Sequence, residues 1–61
     1  MTMLEKTIAH MAANREQPIW TLDELRRAAG IALRSQYRLS EQLGADPRVE
    51  RKGGRMFALA A

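Results

Sequence analysis

Leu33-Arg34-Ser35-Gln36-Tyr37-Arg38-Leu39-Ser40-Glu41-Gln42-Leu43-Gly44, followed after a short turn by Arg48-Val49-Glu50-Arg51-Lys52-Gly53-Gly54-Arg55-Met56-Phe57-Ala58-Leu59, decides how this chain folds. The first segment has a helical period. At about 100° per residue, Leu33, Gln36, Leu39, Ser40 and Leu43 share a broad inner face. Arg34, Ser35, Arg38 and Gln42 share the opposite one, with Tyr37 at the edge. The pattern predicts a helix that starts near Ala32 or Leu33 and ends at Leu43-Gly44. Gln36 and Ser40 make its inner face less apolar than that of a plain core helix. Asp46-Pro47 then makes a turn. The second segment contains two strand-like runs, 48–52 and 55–59, joined through Gly53-Gly54. A two-residue loop would put Val49 on the face opposite Phe57 and Leu59. An odd loop, most simply of three residues, aligns all three, and their burial favours that register because a slip of one residue exposes part of the core.

Upstream of these segments the local signals are strong. Thr2 and Glu5 have capping-box spacing, so a first helix starts at Met3. Leu4, Ile8 and Met11 fall on one face of it, with Ala12 at the edge. Residues 14–18 are polar and end in proline, which ends that helix. Ile19-Trp20-Thr21 is short, apolar and β-prone, enough for one brief strand. Thr21 and Glu24 repeat the capping-box spacing, and Trp20 and Leu25 have the spacing of a hydrophobic staple. A second helix therefore starts at Leu22 and runs to Ala29. Gly30 supplies the left-handed residue of a sharp turn into the third helix.

Sixty-one residues allow one domain, 1–61, at the small end of what folds alone. The chain has no cysteine and one histidine, which excludes a disulfide framework and argues against a structural zinc. No apolar run approaches membrane-spanning length and no signal-peptide pattern opens the chain, so the expected compartment is the cytosol. Met1 opens the chain as a true start would. The net charge is +3, and its distribution is uneven. Residues 1–33 balance four basic groups against four acidic ones, whereas residues 34–61 carry six basic groups and three acidic ones. The excess lies wholly in the helix and hairpin quoted above, as expected where one half is scaffold and the other meets phosphate. Arginine outnumbers lysine eight to two and alanine is abundant, a composition that hints at a GC-rich bacterial genome or mobile element.

The order helix, short strand, helix, helix, hairpin resembles the winged helix-turn-helix family over nearly the whole chain. The residues that carry the resemblance are Thr21-Leu22-Asp23-Glu24-Leu25, Ala28-Ala29-Gly30-Ile31, Tyr37-Arg38-Leu39 and Arg51-Lys52-Gly53-Gly54-Arg55. The first three groups are similar to the capped second helix, glycine turn and recognition helix of many bacterial regulators, and the last is similar to the wing. Ala32 departs from the pattern: it stands where the family often has a capping serine or threonine, so the helix start either frays or falls a residue later.

The resemblance implies a small α+β fold of three helices, a short strand and a C-terminal hairpin wing. It also implies duplex DNA as partner and transcription regulation as function. The exposed face of the third helix would lie in the major groove, which implicates Arg34, Ser35, Arg38 and Gln42. Arginine matches guanine and glutamine matches adenine in bidentate fashion, while serine more often holds a phosphate. Tyr37 either seals the core edge or sets its hydroxyl on a phosphate. Glu41, three residues beyond Arg38, can tether that arginine instead. Arg51, Lys52 and Arg55 crowd the hairpin tip, where like charges repel unless an anion is bound, and Gly53 and Gly54 let a backbone approach. Charge at such a tip also protects an edge against aggregation.

Trp20 is expected in the core and His10 on the solvated flank of the first helix. No nucleophile, acid–base pair or phosphate loop is spaced for catalysis, so an enzyme is not expected, nor a cofactor, metal or small-molecule substrate. Met3, Leu4 and Met11 form a candidate homodimer face, and adjacent copies on DNA would serve the same end. The rival is a winged helix whose basic face meets an acidic protein partner.

Overall fold

The computed structural model describes residues 1–60. Helix α1 spans Met3–Ala13 and begins where its capping box places it. The Thr2 hydroxyl accepts the Glu5 amide at 3.1 Å and donates to the Glu5 carboxylate at 3.0 Å. Thr7 is fully buried, and its hydroxyl donates to the Met3 carbonyl at 2.9 Å, so its polar group is not stranded beneath the helix. Ile8 and Met11 face the core, with Met3 and Leu4 packed against it. Met11 is wholly buried, which removes it from the expected dimer face.

Strand β1, Trp20–Thr21, leads directly into α2, Leu22–Ala28. The second capping box is also present: Thr21 Oγ1 accepts the Glu24 amide at 3.1 Å, and the Thr21 amide donates to Glu24 at 3.1 Å. The helix ends at Ala28, one residue before the predicted end, because Ala29 forms its C-cap. Gly30 follows at φ +68°. Its amide donates to the Arg27 carbonyl at 3.1 Å and the Ile31 amide to the Arg26 carbonyl at 2.9 Å. That pair of bonds is a Schellman motif, which needs a left-handed residue where Gly30 stands. The Arg26 side chain reinforces the turn by donating to the Ile31 carbonyl at 3.1 Å while holding Asp23 at 2.9 Å.

The third helix departs from its sequence expectation at both ends. Leu33–Ser35 form a 3₁₀ turn, and α3 proper spans Gln36–Ala45. Ala32 has no side chain to cap a helix start, and the Ser35 amide instead donates to the Ala32 carbonyl at 2.9 Å. A 3₁₀ turn advances about 120° per residue rather than 100°. That change of phase carries Leu33 off the predicted inner face, and it is 61% exposed. Leu39 and Leu43 are fully buried as predicted, with Gln36 and Ser40 half-buried beside them.

Strands β2, Val49–Gly53, and β3, Met56–Leu59, complete an antiparallel sheet of order β1-β3-β2. Val49 pairs with Leu59, Arg51 with Phe57, and Trp20 on the far side with Phe57, so these residues share the inner face as the register argument required. The parity comes from a different device. Gly53 pairs with Met56 across a two-residue turn, Gly54-Arg55, and a bulge between Arg51 and Gly53 absorbs Lys52 as the odd residue. One core joins the three α-helices and the three strands: Ile8, Met11, Trp20, Leu22, Leu25, Leu39, Leu43, Val49 and Phe57. The result is a small α+β fold of three helices and a three-stranded antiparallel sheet. Among the described residues no helix is long and apolar enough to cross a membrane.

Candidate nucleic-acid interface

The start of α2, the start of α3 and the hairpin turn meet at one end of the molecule. The Leu22 amide donates to the Arg55 carbonyl at 2.8 Å, tying the first turn of α2 to the turn between β2 and β3. Arg55 reaches the other way, its Nη2 donating to Gln36 Oε1 at 3.3 Å. The Asp23 carboxyl feels the same neighbourhood. A hydrogen bond from Arg26 holds it below the usual aspartate range, and the charges of Arg27 and Arg55 add to the effect.

A second tie lies farther along α3. Arg51 Nη2 donates to the Ser40 carbonyl at 3.1 Å and to Ser40 Oγ at 3.3 Å, and Nη1 donates to the Gly54 carbonyl at 2.8 Å. The guanidinium carbon sits 4.8 Å from the centroid of the Phe57 ring, within cation–π reach. These bonds give Gln36 and Ser40 their role. Their polarity on the inner face of α3 supplies acceptors for the two hairpin arginines.

The remaining cations sort by their partners. Arg26 and Arg27 both engage Asp23, Arg48 engages Asp46 at 2.8 Å, and Lys52 engages Glu50 at 3.0 Å. Lys6 and Arg15, in the first half of the chain, have no carboxylate within 4 Å among the described residues, and neither do Arg34 and Arg38, so the tether from Glu41 to Arg38 does not form. Arg34 and Arg38 are both exposed, Arg34 on the 3₁₀ turn and Arg38 on α3. Tyr37 is 75% exposed between them and seals no part of the core.

Two expected residues are half-buried rather than exposed. Gln42 is half-buried and lines a shallow groove with Thr2, Leu4, Ala45, Asp46 and Pro47, on the α1 flank of α3. Ser35 is half-buried at the junction of the 3₁₀ turn and α3, and its side chain caps nothing. Of the hairpin set, Gly53, Gly54 and Arg55 are exposed at the turn, and Lys52 rides the bulge. A Cβ placed on Gly54 would meet nothing within 4 Å, so the tip is open.

Sequence reasoning missed Leu33 as an exposed residue and Gly44 as part of the site. A Cβ on Gly44 would lie 2.7 Å from Arg51 Nη2. Gln36, Ser40 and Gly44 follow one another at intervals of four, a polar and small stripe that the helical period alone can reveal. Among the described residues no group of three or more histidine, cysteine or acidic side chains can hold a metal ion. No protein-family model, curated protein or solved structure matches this chain.

Proposed function

We propose that the chain is a winged helix-turn-helix domain that binds duplex DNA sequence-specifically and regulates transcription. On this reading the 3₁₀ turn and α3 enter the major groove, and the β2–β3 hairpin is a wing set on neighbouring phosphates or in the minor groove. The observation that carries the proposal is the pair Arg34 and Arg38, exposed and without a carboxylate partner, at the start of the helix to which the hairpin arginines are bonded. Cations left without an intramolecular counter-charge are available to phosphate and to guanine edges. Tyr37 adds an exposed hydroxyl on the same turn, and Arg55 with the open Gly54 forms the wing tip. The domain acts by occupying a site rather than by covalent chemistry, in the cytoplasm on the nucleoid.

The longest dimension of the fold is 29 Å, short of the ~34 Å of one duplex turn. A homodimer or adjacent copies would extend the site read. A second reading, an interaction module whose basic face meets an acidic protein, is favoured by one feature: beside Arg34 and Arg38 the start of the same helix also exposes Leu33 and the Tyr37 ring, apolar surface of the kind protein partners cover.

Fluorescence anisotropy of a labelled duplex at low and at physiological salt tests the proposal. Binding should weaken with salt and fall in Arg34→Ala and Arg38→Ala. The logarithmic salt slope should drop by about 0.9 for each phosphate that a variant no longer neutralises. An absence of binding at low salt overturns DNA as the partner and leaves the acidic protein.

A further inference from the structure

We infer that Arg51 is a positioning residue that sets the angle of the hairpin against α3, and that Gly44 leaves its guanidinium the room to reach Ser40. The inference rests on the DNA-binding reading for its consequence and on geometry for its substance. The sequence groups Arg51 with Lys52 and Arg55 as a cation crowded at the hairpin tip. The register places it on the inner face of the sheet instead, directly across from Phe57. From there the side chain makes three hydrogen bonds, two to Ser40 of α3 and one to the Gly54 carbonyl of the hairpin turn. Its guanidinium lies over the Phe57 ring at 4.8 Å. One planar group thus touches β3, the turn and α3 at once. Lysine cannot reproduce that, because an ammonium has no fork and no plane to stack.

The bulge at Lys52 is part of the device. Without the extra residue the alternation of β2 would continue unbroken into the turn, and Gly54 would shift relative to the arginine that holds it. Gly44 completes the seat. Glycine inside a helix is unfavourable relative to alanine. Here a methyl group would press to 2.7 Å from Arg51 Nη2, the far end of a flexible side chain, so the guanidinium would move off its Ser40 acceptors to make room.

A phosphate-binding arginine and a positioning arginine respond differently to the same substitutions. Binding to phosphate is largely kept by Arg51→Lys and abolished by Arg51→Gln, with the salt slope reduced by about 0.9. A positioning role is abolished in both, and the slope set by the other cations stays. Gly44→Ala separates positioning from a general loss of stability, since it leaves every charge in place and favours the helix.

The experiment measures duplex affinity, salt slope, thermal midpoint and amide hydrogen exchange at Gly53 and Met56 for the wild type, Arg51→Lys, Arg51→Gln and Gly44→Ala. Arg51→Lys and Gly44→Ala should bind about two- to tenfold more weakly, the factor that the net energy of one hydrogen bond corresponds to. Their slopes should be unchanged, and the hairpin amides should exchange faster. Gly44→Ala should hold its thermal midpoint near that of the wild type, the gain in helix propensity offsetting the lost Ser40 bonds. Wild-type affinity in Arg51→Lys, with a reduced slope in Arg51→Gln, overturns the inference and makes Arg51 a phosphate ligand. If the wild type binds no duplex, the DNA reading falls by itself and exchange decides: faster hairpin exchange in both variants sustains the positioning role, and unchanged exchange overturns it.

Discussion

Leu33 and Leu39 are the same residue on what reads as one helical face, and their surroundings differ completely. Leu39 is fully buried and Leu33 is 61% exposed. Leu39→Ala should cost about 2–5 kcal/mol through the cavity it leaves. Leu33→Ala should stay within about 0.5 kcal/mol, as exposed substitutions do. Urea midpoints of the two variants check the contrast. Gly30→Ala should be costly for another reason. Its φ of +68° is one that L-residues adopt at about 1–2 kcal/mol. The three residues are not equally legible in the sequence. Gly30 is, because a helix stop followed closely by a new helix demands a left-handed residue. Leu39 is, because it lies inside a regular α period. Leu33 is not, because Ala32 offers no cap and the 3₁₀ turn resets the phase. Arg51 reads as a tip residue because its true place depends on α3, eleven residues away in sequence at Ser40.

At the scale of elements, the boundaries written by local chemistry stand where the sequence puts them. Both capping boxes form, and Thr21→Ala should remove one at a cost of about 1 kcal/mol, seen as a lower thermal midpoint. The hairpin shows the limit of such reasoning. Parity of burial correctly demands an odd residue between Val49 and Phe57, but pattern alone does not distinguish a longer loop from a bulge, and the chain uses a bulge. The link from α3 to β2 carries a pH dependence. Asp46 accepts the Arg48 amide at 2.8 Å and both arms of its guanidinium, and these bonds lower its pKa from 3.8 to about 2. A lowered carboxyl pKa stabilises the fold fully above the unfolded value, and the contribution is lost as pH falls through the folded one. Stability should therefore decline between about pH 4 and pH 2. Asp46→Asn should flatten that part of the decline, measured by circular dichroism across an acid titration. Asp23 and Glu24, both lowered by their hydrogen bonds, act in the same direction.

The whole molecule is one core with two kinds of surface. Its 61 residues leave little margin, and each α-helix and each strand contributes at least one side chain to the buried cluster. These elements therefore fold together or not at all, and unfolding should be a single cooperative transition by heat and by denaturant alike. The distribution of charge along the sequence anticipates where Arg34 and Arg38 stand without a carboxylate, since residues 34–61 hold the whole excess, although Arg15 in the balanced half is unpaired as well. It does not show which cations keep their freedom. Arg48 and Lys52 belong to that excess and are held by Asp46 and Glu50, partners two residues away in each case.

Trp20 gives this fold a built-in reporter. It is the sole tryptophan of the chain, 5% exposed, with the His10 ring of α1 edge-on at 5.1 Å and Phe57 across the strand pair. Its emission therefore senses the docking of α1, β1 and β3 in one signal. It shares a groove with Arg15, Gln17, Pro18, Leu59 and Ala60, none of which belongs to the proposed interface, so fluorescence intensity can follow folding while a labelled partner follows binding. The two equilibria can then be read from one cuvette without either dye or mutation disturbing the core.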